Sequence, residues 1–93
     1  MAKYMVGTGW KMNLGAAAAR EYCEALLPLL PADTALVDAF VLPPFTSLHA
    51  VQPLLADSAV AFGGQNMHWE ASGAWTGEIS APMLAEAGCA YVE

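Results

Sequence analysis

The chain has 93 residues, 57% hydrophobic and only 13% charged, with a net charge of −6. Soluble domains average about 45–50% apolar and about one-quarter charged, so disorder is excluded and a packed core is expected. Three Lys plus Arg against nine Asp plus Glu cannot neutralise a run of phosphates, which argues against a nucleic-acid partner.

No stretch reaches the ~18 uninterrupted apolar residues of a membrane span. The amino terminus MAKYMVGTGW lacks the long apolar run and cleavage site of a signal peptide. Cys23 and Cys89, far apart in an apolar chain, read as buried reduced thiols of a cytoplasmic protein. So small a domain normally carries more charge. Much of its surface is therefore expected to be covered, by a second copy or by further chain.

Residues 4–10 (YMVGTGW) predict a strand punctuated by Gly7 and Gly9, where glycine signals close backbone approach or a ligand. A helix follows, with Asn13 as a candidate cap and Ala16–Ala19 as strong helix formers. Tyr22, Cys23, Leu26, Leu27 and Leu30 share one face of it, and Pro28 and Pro31 end it. Residues 35–42 (ALVDAFVL) read as a buried parallel strand stopped by Pro43-Pro44. A second helix is expected over 45–56, starting near Thr46 or Ser47 and kinked or split by Pro53.

Residues 59–63 (AVAFG) form the third predicted strand, and Gly63-Gly64 is read as serving the turn after it. The connection over 64–79 is longer than most loops in a compact domain, and such loops are usually functional or disordered. Trp69 and Trp75 argue for a partner surface. Ser80 then caps a short helix with Pro82 in its first turn and Gly88 as its stop. Residues 89–92 open a fourth strand. Strands alternating with helices imply an α/β fold with a parallel sheet.

Ligands of parallel sheets sit beyond the carboxyl ends of the strands, which is where Lys11 and Asn13 fall. A lysine there holds an anion, and an asparagine orients a hydroxyl or carbonyl. The plainer alternative is a solvent lysine and a helix cap. His49 reads as a surface residue. His68, beside Trp69 and Glu70, fits interface packing better than catalysis. Glu70, Glu78 and Glu86 show no metal-ligand spacing, so no metal is expected.

Three ordered segments carry a resemblance: GWKMN at 9–13, LPPF at 42–45, and GQNMHWEASGAWTGEISAPMLAEAGCAYV at 64–92. Together they resemble the triosephosphate isomerase family across the chain. The resemblance implies the amino-terminal part of a (β/α)8 barrel, three βα units and the start of strand four. Residues 1–93 are then a partial domain, cut before the family's catalytic histidine motif (GHSERR-like). It further implies aldose–ketose isomerisation of a small sugar phosphate through an enediolate, without metal or organic cofactor. That family is itself the reference case for a glutamate base working with a neutral histidine, and both groups come later in its pattern.

By this resemblance Lys11 is catalytic and substrate-binding, and Asn13 binds substrate oxygens. The loop from Gln65 to Glu78, with Trp75 and Thr76, is a homodimer loop, and Thr76 is expected beside the partner's Asn13. Gly9 departs from the family's Asn. The GTxWKMN pattern with NMHW and GAWTGEIS also resembles a branch acting on L-erythrulose 1-phosphate. The contrasting reading is a non-enzymatic half-barrel interaction module.

Overall fold

Four parallel strands form one sheet in chain order: β1 (Tyr4–Gly9), β2 (Val37–Leu42), β3 (Val60–Gly64) and β4 (Tyr91–Val92). The computed structural model describes residues 3–30 and 35–93, so the helix stop assigned to Pro31 lies outside the described residues. β1 pairs with β2 from Tyr4↔Val37 to Gly9↔Leu42, β2 with β3 at Val41↔Phe62, and β3 with β4 at Gly63↔Tyr91. The connections carry α1 (Ala16–Leu26), α2 (Leu48–Leu55) and α3 (Ala81–Glu86). This is the alternation that the sequence pattern predicts.

One face of the sheet packs on the helices. Val41 and Phe62, opposite each other in register, are buried there with Cys23, Leu48, Val51 and Leu84. Strand residues alternate between faces, so Phe40 points the other way. Its ring meets that of Tyr91 in a tilted contact with centroids 5.2 Å apart, reaching from β2 to β4 across β3. Side chains contributed by alternate strands are how a barrel interior is layered. Gly7 makes room for this layer, because a methyl group there would collide with the Phe40 ring.

The accessible surface is 6103 Å² for a 9.8 kDa chain. A compact monomer of that mass exposes about 5,200 Å². Apolar strand residues contribute to the excess: Tyr4, Met5 and Val6 on the edge strand β1 are all more than half exposed. The buried strand expected at 35–42 is correspondingly half-buried over most of β2, with only Val41 and Leu42 fully covered.

Several local expectations need correction. Asn13 does not cap α1; the cap position is Gly15, without a side-chain bond, because Leu14 lies in the left-handed region and delays the helix. Pro28 does not stop the chain abruptly but sits in a 3-10 turn, Leu27–Leu29, that continues α1. Pro53 does not split α2, which runs through it. Pro53 and His49, whose carbonyl loses its helical donor, are both exposed, so water can replace the bond. The break comes earlier, where the 3-10 turn Phe45–Ser47 passes into α2. Gly63 and Gly64 serve close packing and not a turn: a methyl on Gly63 would strike the Tyr91 carbonyl, and one on Gly64 would lie 2.8 Å from Leu84. Ser80 caps α3 as expected, accepting from the Met83 amide at 3.3 Å, and Gly88 ends it at φ +95°.

Both cysteines are free thiols, Cys23 buried and Cys89 only half-buried. Burial pushes both thiols above their ordinary value, and Glu24 adds to the effect at Cys23. Among the described residues no helix is long and apolar enough to cross a membrane.

Candidate functional site

The loop that leaves the carboxyl end of β1 is built against local preference. Trp10 is buried against the core, and its amide donates to Leu42 O at 3.1 Å, which continues the β1–β2 ladder by one step. Lys11 and Leu14 then take left-handed backbone angles, φ 59° and 70°. Each costs a residue with a Cβ about 1–2 kcal/mol, so the surrounding structure must enforce both.

Three side chains do so. Asn13 Nδ2 donates to Trp10 O at 2.8 Å, closing the loop on itself. Gln65 Nε2 donates both to Lys11 O at 2.9 Å and to Leu42 O at 2.7 Å. The two hydrogens of one amide nitrogen thus join the ends of β1, β2 and β3. Ser47 Oγ donates to Leu14 O at 2.6 Å, and Ser47 is fully buried.

Lys11 is exposed at this end of the sheet. Among the described residues, the only ion pair is the one Lys3 makes with Asp38 at 3.3 Å, and no carboxylate neutralises Lys11. An unpaired ammonium on an acidic chain is a local attractor for an anion. Asn13 stands two residues away on the same loop, its amide nitrogen engaged by Trp10 O and its carbonyl oxygen free to accept. Among the described residues no group of three His, Cys, Asp or Glu could hold a metal.

The long connection between β3 and α3 is ordered by aromatic stacking. His68 lies 4.3 Å from the Trp69 ring and 4.7 Å from the Trp75 ring, stacked on both. Its Nδ1 accepts from the Glu70 amide at 3.0 Å, and its backbone bridges to Ser80. Packing within the loop therefore accounts for His68. At the tip, the Glu78 amide donates to Trp75 O at 3.0 Å, with Gly77 at φ +87°. Thr76 occupies the exposed crest of this tight turn. Asn66 Nδ2 donates to Glu78 Oε2 at 3.0 Å and fastens the base.

Between this loop and Lys11 runs a cleft of about 280 Å³ lined by Lys11, Met12, Phe45, Gln65, Gly77 and Ile79, among others. Met12, which lines it, is 95% exposed, and on the long connection itself Trp69 is 83% exposed. Lys11, Asn13 and Gln65 are thus brought together by geometry. No sequence signal marks Ser47 as more than a helix cap, since a serine before a helix reads simply as one.

A parallel sheet with helices on one face, an inner layer drawn from alternate strands, and a lysine loop beyond the strand ends defines the amino-terminal part of a (β/α)8 barrel. A sequence model described as triosephosphate isomerase matches residues 4–93. The crystal structure of triosephosphate isomerase from Bartonella henselae superposes with a TM-score of 0.86 at 31% identity, covering 97% of this chain and 36% of that one. The chain belongs to the triosephosphate isomerase family.

Among curated proteins it is 46% identical to the L-erythrulose-1-phosphate isomerase of Mesorhizobium japonicum, over 97% of this chain and 35% of the relative. It is 47% identical to the triosephosphate isomerase of Synechococcus sp. (strain CC9902), over 98% of this chain and 37% of the relative. The chain therefore spans about a third of the length of the curated relatives it matches.

Proposed function

We propose that the protein carrying this chain is an aldose–ketose isomerase of a small sugar phosphate, interconverting dihydroxyacetone phosphate and glyceraldehyde 3-phosphate through an enediolate. The observation that carries the reading is the family match over residues 4–93, with Lys11 and Asn13 on a tied loop beyond β1. Lys11 supplies positive potential to the substrate phosphate and to the oxyanion that develops as a proton leaves carbon. Such stabilisation works best when the charge is fixed before reaction, which is what the strained, clamped backbone achieves. Asn13 offers its free carbonyl oxygen to a substrate hydroxyl. No metal or organic cofactor takes part in this scheme.

The base and the electrophile of the reaction are assigned to that part of the relatives' length which this chain does not span. By itself the 93-residue chain is then inactive. The 65–78 loop is assigned to a homodimer contact in which Thr76, Trp75, Gln65 and Glu78 meet a second copy. The exposed Trp69 and Met12 and the apolar cleft beside Lys11 support a covered surface of this kind. The free thiols suit the reducing cytoplasm.

A second reading concerns the sugar. The Mesorhizobium japonicum relative, named for L-erythrulose 1-phosphate, is as similar as the relative named for triose phosphate. A four-carbon ketose phosphate undergoes the same proton transfer with one more hydroxymethyl carbon. Solvent-deuterium incorporation at the carbon next to the carbonyl, followed on both substrates with the full-length protein, tests the enediolate directly. Turnover without exchange on either sugar would reject it, and no turnover on either would favour the non-enzymatic module.

A further inference from the structure

We propose that Gln65 and Ser47 are positioning residues that hold Lys11 in its working conformation through the backbone. This rests on the isomerase reading for its kinetic consequences only. Lys11 and Leu14 are the two non-glycine residues with left-handed φ among those described, and both lie in the connection over 10–15 between β1 and α1. The carbonyl of each strained residue is gripped by a side chain from a different βα connection: Lys11 O by Gln65 at 2.9 Å, Leu14 O by Ser47 at 2.6 Å.

Neither side chain is used as its local position would suggest. Ser47 stands at the amino-terminal cap of α2, yet its hydroxyl makes no cap bond and turns to Leu14 instead. Gln65 opens a loop assigned to subunit contact, yet its amide nitrogen is spent within the chain on Lys11 and Leu42. Asn13 bonds only within the loop and cannot fix it to the sheet. Released from the two grips, Lys11 would relax toward the ordinary backbone regions. Its Cα–Cβ bond would then turn away, carrying the ammonium with it.

The test uses the full-length protein with Gln65→Met, which keeps the length and removes both donors, and with Ser47→Ala. Gln65→Asn, an amide too short to span both carbonyls, serves if Gln65→Met fails to fold. Each is expected to raise KM and lower kcat together, for a loss of about 10- to 100-fold in kcat/KM. Ser47→Thr, which restores the hydroxyl, is expected to recover the rate. Loss of kcat in proportion to folded protein, with KM unmoved, would mean a merely structural role and overturn the proposal. Crystal structures of the variants give an arm independent of activity: Lys11 is expected to leave the left-handed region in Gln65→Met. Lys11 remaining near φ 59° there would overturn the clamp. Failure of the wild type on both sugar phosphates would reject the isomerase reading while leaving that backbone arm decisive.

Discussion

The imidazole of His68 stacks on the indole of Trp75 at 4.7 Å and 30°, seven residues along the same loop. Trp69 stacks on the same imidazole at 4.3 Å, so ring contacts tie together a long connection without regular structure. Aromatic pairs of this kind contribute about 0.5–1.5 kcal/mol beyond their buried area.

Trp75→Ala should therefore loosen the loop and weaken the proposed dimer. Limited proteolysis of the full-length protein should show faster cleavage within residues 69–78, and sedimentation should show a shift toward monomer. An unchanged cleavage rate would mean that the stack does not order the loop.

Gly7→Ala should lower stability by about 1–3 kcal/mol, since the added methyl must displace the Phe40 ring. Urea unfolding measures this. Phe40→Leu in the same chain should recover part of the loss by vacating the space. A Gly7→Ala protein as stable as the wild type would show that the ring moves freely.

Cys23 is fully buried, and burial, with Glu24, raises its thiol above the ordinary value of 9.0. As pH rises past that value the unfolded chain loses the proton first, and the native state then holds more protons. Stability should thus be unaffected by this group below pH 9.0 and decline above it. Cys23→Ala should remove part of the decline in denaturant titrations at several pH values. At pH 8 a thiol reagent should label Cys89 well before Cys23; the reverse order would contradict the burial.

Residues 1–93 alone should show no isomerase turnover and a broad, weakly cooperative melt. Tyr4, Met5 and Val6 on the free edge of β1 leave unpaired backbone and apolar surface in water. A sharp monomeric melt, or turnover above that of a Lys11→Ala control, would contradict this.

The order of elements was legible because local signals agreed with the fold. Pro43-Pro44 closes β2, Ser80 caps α3, and Gly88 takes the positive φ that stops it. Lys11 was legible as a candidate through its place after β1 and the GWKMN resemblance. What holds it was not. The Gln65–Lys11 bond joins residues 54 apart, and nothing in a local pattern reports such a pair. The left-handed angles of Lys11 and Leu14 run against the preference of both residue types, so local propensity does not announce them. Pro53 misled for a related reason: its cost to a helix depends on whether the orphaned carbonyl faces water or the core.

The central claim is that Lys11 serves the isomerisation of a small sugar phosphate. It is tested most directly by kcat/KM of full-length wild type and Lys11→Ala, measured in parallel on dihydroxyacetone phosphate and L-erythrulose 1-phosphate. The account predicts turnover of at least one substrate, and a loss of about 100-fold or more on that substrate when the ammonium is removed. Wild-type turnover that survives Lys11→Ala undiminished, or its absence with both sugars, would contradict it.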